Sequence, residues 1–299
     1  MGVAGQAARS REMPSNVACR IPLLLPDDRG GMTISAGRAH RQAYTMQYAL
    51  ISGHRSTPQP CLVGACPACN WPTVSKCGTK VTWHWAHKAR RHCDPWWENE
   101  TEWHRHWKSL FPDDAREVVH FDSTTEEKHV ADIKTETGLI IELQHSPMPS
   151  EELRAREHFY KNMVWIVDAR PFAGQFHILG KLPPPDSDLV RDIVFYPQRH
   201  RDSGFGGFWR PSENPEPRGL VLYHSISEIS EEIEFLYQGH HFFEWIRPRT
   251  IWFDATAPVL LDFGGPCLWR LCAYDDRGLW SVQRTSKDAF IAENGGNPE

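Results

Sequence analysis

Three side chains within VADIKTETGLIIELQHS, residues 130–146, carry the means for metal-assisted chemistry: Asp132, Glu142 and Gln144. Short runs of alternating apolar residues flank Thr135-Glu136-Thr137-Gly138. That pattern predicts an antiparallel hairpin, with Gly138 supplying permissive backbone near the turn. A turn centred on Thr137 places Asp132 directly across from Glu142. Strand residues alternate faces, so Glu142 and Gln144 share one face while Leu139, Ile141 and Leu143 point the other way. Like charges opposed at about 5 Å are destabilising unless something lies between them. A divalent cation is the obvious bridge, since Mg²⁺ takes one or two carboxylates and completes its shell with water and phosphate oxygen. The alternative is a solvated hairpin bearing two surface acids in a shifted register.

A second chemical cluster lies upstream. Five of the eight cysteines, Cys61, Cys66, Cys69, Cys77 and Cys93, fall in one short segment that also holds His84-Trp85-Ala86-His87. Cys66-Pro-Ala-Cys69 is a knuckle that brings two thiolates to one ion, and a later pair completes a tetrahedral Zn²⁺ site. The second pair comes from Cys77, His84, His87 and Cys93. We take His87 and Cys93, with His84 or Cys77 as alternative ligands. Unligated thiols and packed histidines are the competing reading. No secretory signal is evident, so the cysteines suggest metal ligands or free thiols rather than a disulfide framework.

The elements that must position these groups follow from pattern. Asp94-Pro95 reads as a helix start, with the helix running to about Leu110. Trp103, Trp107 and Phe111 recur at helical spacing as its buried stripe, and Glu100, His104 and Lys108 follow at i, i+4 and i+8 along an adjacent line. A strand at Glu117–Phe121 precedes the hairpin. Ser150 reads as the N-cap of a second helix over 151–162 that carries Arg154, Arg156 and Lys161, and Met163–Val167 is an apolar strand. The expected order is helix, three strands, helix, strand.

Residues 1–45 read as a disordered N-terminal extension, with Met32 and Met46 as alternative start residues. Residues 46–93 form a zinc-ribbon-like module, 94–170 the core, 171–219 a proline-rich linker, and 220–299 a small α+β, largely β, extension. In that extension we expect a helix near Ser227–Tyr237 and strand-like pieces at Thr250–Asp254, Pro258–Phe263, Leu268–Tyr274 and Trp280–Gln283.

With 299 residues, 40% of them hydrophobic, the chain can bury a sizeable core. No apolar run approaches the roughly 20 residues of a membrane span, so we expect a cytoplasmic protein without membrane contact. A net charge of -5 does not advertise a nucleic-acid binder. Local basic runs exist at Lys88–His92 and Gln198–Arg201, and solvated surface is the first reading of each taken alone. Seven of thirteen tryptophans lie between Trp71 and Trp107, where packing is the first explanation and stacking on bases the second.

Taken together, the blocks resemble the CoiA-like competence protein family, whose nuclease module belongs to the PD-(D/E)XK superfamily. The likeness runs from about Met46 to Asp168. It rests on Cys66-x2-Cys69, His84-Trp-Ala-His87, Glu100-Thr-Glu-Trp-His104 with Lys108, and His129-Val-Ala-Asp132. It continues through Gly138-Leu-Ile-Ile-Glu142-Leu-Gln144-His145-Ser146 and Arg156-Glu157-His-Phe-Tyr160. The resemblance implies an α/β, restriction-endonuclease-like core of αβββαβ order and Mg²⁺- or Mn²⁺-dependent hydrolysis of DNA in uptake, recombination or processing. It implies Asp132 and Glu142 as Mg²⁺ ligands, with Glu100 as an additional acid of the first helix and Glu102 its competitor. Gln144 stands where the superfamily usually has lysine. A neutral amide can hydrogen-bond the attacking water but supplies no positive charge, which leaves His129, His145 and Lys108 as candidates to assist. Arg156, His104, Lys108 and Lys161 are the expected DNA contacts, and recombination proteins are expected partners. The alternatives are a catalytically inactive DNA-binding accessory and an adaptor built on the zinc knuckle. The sequence leaves the oligomeric state open.

Overall fold

The structure is a computed structural model that describes residues 45–80, 82–89, 93–96, 98, 100–123, 125–196, 207–216 and 219–299. The N-terminal extension, the run Gln198–Arg201 and part of Lys88–His92 lie outside the described residues. The architecture is mixed α/β, with large sheets and few helices.

Strands β1 (Ala49–Ile51), β2 (His54–Ser56), β3 (Val63–Ala65), β4 (Pro72–Lys76) and β5 (His84–His87) form a five-stranded antiparallel sheet in the order β2-β1-β3-β4-β5. Its buried core is small: Met46, Ala49, Cys66, Ala68 and Trp85.

Next come α1 (Glu102–Ser109), β6 (Arg116–Phe121), β7 (Lys128–Lys134), β8 (Ile140–Gln144), α2 (Ser150–Tyr160) and β9 (Met163–Asp168), which is the order expected from pattern. Beyond them lie β10 (Phe176–Lys181), α3 (Asp188–Arg191), β11 (Val194–Phe195), β12 (Phe208–Trp209) and β13 (Leu222–Tyr223). The chain ends with α4 (Ser230–Leu236), β14 (His240–Trp245), β15 (Val259–Asp262), β16 (Cys267–Ala273), β17 (Trp280–Ser286) and α5 (Lys287–Glu293). A nine-stranded sheet runs β10-β14-β17-β16-β15-β9-β8-β7-β6, and β11-β12-β13 form a separate three-stranded sheet.

Several expectations shift. The first helix starts at Glu102, not at Asp94. Thr101 is its N-cap: its hydroxyl accepts from the His104 N–H, while its own N–H donates to His104 Nδ1 at 3.2 Å. Asp94 is instead committed across the fold, accepting from His129 Nδ1 and the Val130 N–H, each at 2.9 Å. Ser150 is the first residue of α2, after Pro149, rather than its cap. The stretch read as linker contains β10, an edge strand of the large sheet, and part of the three-stranded sheet. Residues 250–253 make a 3₁₀ turn rather than a strand, and β14 and α5 are additional. Strands β14–β17 continue the same sheet as the hairpin, because β15 pairs in parallel with β9. Cys267 is disulfide-bonded, an exception to the expected free or metal-bound thiols.

Both faces of the sheet around β8 and β9 are covered, so every residue of these two strands is buried. On one side α1 packs Trp103, Trp107, Leu110 and Phe111 against Ile133, Ile141, Leu143 and Val164. On the other, Leu153, Phe159 and Tyr160 meet Ile140, Met163 and Trp165. The indole N–H groups of Trp103 and Trp107 donate to Asp262 Oδ2 of β15 at 2.9 and 2.7 Å, which ties α1 to β15.

Candidate functional site

The hairpin forms as its sequence predicts. Ile133 pairs with Ile141 and Lys134 with Ile140, a register centred on residue 137. Gly138 has φ 82, and its N–H donates to Thr135 O at 2.9 Å. Past Ile133 and Ile141 the main-chain ladder gives way to side chains: the Asp132 N–H donates to Glu142 Oε1 at 3.3 Å, and the Leu143 N–H to Asp132 Oδ2 at 3.0 Å. Asp132 and Glu142 therefore oppose each other and satisfy the backbone where the strands part.

A third acid extends the row. Strands β6 and β7 pair Arg116 with Ile133 and Val118 with Ala131, so Glu117 lies opposite Asp132. The φ of Glu117 is 45, in the left-handed region that non-glycine residues rarely occupy. Glu117, Asp132 and Glu142 thus form one line across three adjacent strands. Backbone strain of this kind costs on the order of 1–3 kcal/mol and recurs where a side chain must be aimed.

Lys108 of α1 answers most of this charge. Its Nζ lies 3.1 Å from Asp132 Oδ1, 3.2 Å from Glu117 Oε1 and 3.1 Å from Glu100 Oε1. Buried among these carboxylates, its ammonium keeps its proton well above the ordinary lysine range despite the cost of burial. Burial also works against the Asp132 carboxylate, but Lys108 and His104 outweigh it and hold that group below its usual value. Glu142 differs. Burial, then the Asp132 charge, push its carboxyl up to about 8, although Arg156 Nη1 donates to Glu142 Oε2 at 2.9 Å. The surrounding cavity of about 70 Å³ is also lined by Asp94, Glu98, Glu100 and Glu117, so acids outnumber the cations Lys108 and Arg156. A cavity with surplus carboxylate and room for water suits a hard cation or a proton.

The upstream cluster is compact. One donor atom from each of Cys66, Cys69, His87 and Cys93 lies within 4.8 Å of all the others, and among the described residues no other such group of three or more is found. Cys66 Sγ is 3.7 Å from Cys93 Sγ, and Cys69 Sγ is 3.4 Å from His87 Nε2. A tetrahedron with Zn–S near 2.3 Å and Zn–N near 2.0–2.1 Å has edges of about 3.8 and 3.5 Å, so the donor spacing suits zinc. The Cys66–Cys93 contact holds the Cys66 thiol below the ordinary thiol range and pushes the Cys93 thiol above it, so the pair shares one proton. This Cys3His set can hold a structural metal such as zinc. Cys77 and His84 fall outside it. His84 is three residues from His87 on β5, so it points to the opposite face, where its Nδ1 meets Thr82 O at 2.9 Å.

The two clusters adjoin. Residues Cys66, Pro67 and Ala68 of the knuckle line the same cavity as the acids. From the strand side of that module, Gln47 Nε2 donates to Glu100 Oε1 at 2.7 Å and the Gln47 N–H to Glu117 Oε2 at 3.0 Å.

Other expected residues take varied places. Glu100 sits just before the helix and joins Lys108 rather than the acid row. Gln144 shares the Glu142 side of β8 but lines a neighbouring groove, its amide donating to Ser146 O at 3.0 Å. His104 is buried, with Nε2 on Leu143 O at 3.2 Å. Arg156 is buried and held by Glu142, Glu152 and Trp96 O. Lys161 lines a groove away from the acids. His129 is stacked on Trp96, and His145 is bound to Asp168. Sequence reasoning missed Glu117, Gln47, Glu98 and the true role of Asp94. For Glu117 the signal was the period-two pattern of β6, but its register against β7 hung on the intervening loop.

Residues 65–95 match the family described as competence protein CoiA, N-terminal domain, a stretch that contains all four residues of the Cys3His cluster. The chain thus resembles the CoiA-like competence proteins over this segment. No curated protein and no solved structure matches it. Among the described residues, no helix is long and apolar enough to cross a membrane.

Proposed function

From the premise that this chain carries a CoiA-type N-terminal segment, we propose that it is a divalent-metal-dependent nuclease acting on DNA phosphodiesters in uptake or recombination, with a PD-(D/E)XK-type core. The observation that carries the reading is the row Glu117, Asp132, Glu142 at the parting of three strands, with Lys108 against it. Asp132 and Glu142 would hold Mg²⁺ or Mn²⁺, with Glu100 and Glu117 close enough to act through water. That ion, when bound, activates water and phosphate as a Lewis acid.

The remaining work belongs to the chain's own groups. Lys108 supplies the positive charge that Gln144 cannot, at 3.1 Å from Asp132, where it can stabilise charge developing on a phosphate held there. Arg156 fixes the Glu142 carboxylate, and Gln144 offers an amide to water or substrate. The buried contacts of Arg156 and His104 suit orientation of the site better than docking of the DNA backbone.

Purified protein with Mg²⁺ or Mn²⁺ is expected to cleave DNA. Asp132→Ala and Glu142→Ala each are expected to lose activity by about a hundredfold or more, as for other groups that stabilise transition-state charge. Incubation with single- and double-stranded DNA checks this, and equal cleavage by all three proteins would remove the site assignment. The same salt-bridged cage favours one alternative, a DNA-binding accessory without turnover, because Lys108 Nζ already sits among Glu100, Glu117 and Asp132. That alternative predicts DNA affinity that survives both substitutions and no nicking by the wild type.

A further inference from the structure

The 38 Asp and Glu residues all lie outside residues 46–93, whereas six of the 33 Lys and Arg lie within them. A chain of net charge -5 thus carries one wholly cationic stretch, the zinc module. Bound zinc leaves it cationic, because one Zn²⁺ offsets two of the three thiolate charges. Lys76, Lys80 and Lys88 are exposed and make no ion pair among the described residues. The module also holds the exposed tryptophans of the described chain, Trp71 at 41% and Trp83 at 48%, although its own apolar core is small. An exposed indole keeps a large apolar surface in water, and setting it among cations suits a partner that is both flat and anionic.

The topology strings these residues along one hairpin. Thr73 pairs with His87 and Lys76 with His84, so β4 and β5 run antiparallel and begin at opposite ends. Trp71 immediately precedes β4 and Trp83 immediately precedes β5, so the two residues bracket the hairpin about 20 Å apart. Lys76 and Lys80 lie toward the Trp83 end. The Lys88 N–H donates to Pro72 O at 2.9 Å, which places Lys88 at the Trp71 end. That end adjoins the acid row: Trp71 O accepts from the Cys66 N–H at 2.9 Å, and Cys66, Pro67 and Ala68 line the acid cavity.

We propose that the β4–β5 hairpin of the zinc module docks single-stranded DNA, with Trp71 and Trp83 stacking on bases and Lys76, Lys80 and Lys88 contacting phosphates. The inference rests on the nuclease reading for the identity of the ligand and extends it with a docking surface and a strand preference. The acid row needs such a surface. Its surplus carboxylates repel a phosphate backbone, and the cations beside it, Lys108 and Arg156, are buried and committed to acids. Bases within a duplex stack on one another and offer no face to an indole, so stacking at both ends of the hairpin selects unpaired strand. A strand leaving the acid cavity past the knuckle meets Trp71 first and Trp83 last.

Fluorescence anisotropy with the full-length, zinc-loaded protein reads docking separately from cleavage. The probes are a labelled oligothymidylate of about twelve nucleotides and its duplex with oligoadenylate, without added divalent cation. The single strand is expected to bind about tenfold tighter than the duplex. Trp71→Ala and Trp83→Ala should each weaken it about tenfold, the scale of one lost stacked base, and Trp71→Phe and Trp83→Phe should keep most of the affinity. Lys76→Gln, Lys80→Gln and Lys88→Gln combined should flatten the salt slope of log K by about two, as three phosphate contacts on a single strand require. Phe235→Ala, which removes an exposed aromatic from α4, should bind as wild type. All these side chains are exposed, and retention of one zinc per chain reports that each variant folds. Equal affinity for the two probes, no binding of either, or affinity and salt slope unchanged by the tryptophan and lysine substitutions would overturn the inference. Tryptophan-dependent docking without metal-dependent cleavage keeps the surface and removes the nuclease reading, and cleavage by a wild type whose docking ignores these substitutions does the reverse.

Discussion

Replacing Lys108 by methionine is expected to cost about 3–5 kcal/mol of folding stability at neutral pH, the usual penalty for stripping one partner from a buried ionic cluster. The ammonium of Lys108 meets Asp132, Glu117 and Glu100 within 3.2 Å, and only about 6% of its side chain is exposed. Methionine fills similar volume, so the loss is electrostatic rather than a packing void. The effect has a pH signature. Lys108 helps to hold Asp132 below its ordinary pKa, so the stability that it contributes is present above the unfolded carboxylate range and fades as pH falls through the folded value. Denaturant unfolding of wild type and Lys108→Met at pH 7 and at about pH 2.5, below the unfolded carboxylate range, should show the gap shrinking at the lower pH. Adding Glu117→Gln to Lys108→Met should recover part of the loss, since it removes one of the stranded charges. A gap below about 1 kcal/mol at pH 7 would mean that the acids do not depend on Lys108.

Removing metal from the Cys3His cluster should have a still larger but more local effect. The first sheet has a core of five buried residues, one of which, Cys66, is itself in the cluster. So small a core cannot offset the ordering entropy of its strands, whereas structural zinc contributes apparent free energies of about 10–16 kcal/mol in small sites. Chelation or Cys66→Ser is therefore expected to release one zinc, expose the buried Trp85 and open residues 46–93 to protease. The nine-stranded sheet should stay folded, since its two clusters are built from α1, α2, α5, β7–β10 and β14–β17. Metal analysis with limited proteolysis checks this, and a first sheet that remains protected without metal would contradict it. Because Gln47 bonds Glu100 and Glu117, metal loss should also loosen the acid site.

The sequence was most legible where one short-range rule decided the outcome. The turn at Gly138 fixed the hairpin register and set Asp132 against Glu142 before any tertiary contact was considered. The CxxC knuckle likewise marked Cys66 and Cys69. Choosing His87 over His84 needed the face of β5, which period-two alternation supplies only once the strand is placed. Long-range competition defeated the rest. Asp94 has the form of a helix cap, but His129 and Val130 of β7 outbid the helix for its carboxylate, and Thr101 takes that role eight residues before the helix ends. Glu117 joined the acids through the β6–β7 register, which depends on the loop between those strands. Proline density over 183–217 suggested a linker, but β10 ends before Pro183, carries no proline itself and pairs with β14 at the sheet edge.

If the row of acids takes a divalent cation in place of a proton, Mn²⁺ binding must depend on pH. Burial and the Asp132 charge raise the Glu142 carboxyl to about 8, so below that pH the group is protonated and must release its proton to ligate. Mn²⁺ affinity of the zinc-loaded protein, followed by electron paramagnetic resonance, should rise about tenfold per pH unit up to roughly pH 8 and then level off, as one-proton linkage requires. Glu142→Gln should flatten the profile and Asp132→Asn should abolish tight uptake. A wild-type affinity that does not change with pH, or uptake that is the same in Asp132→Asn, would contradict the account.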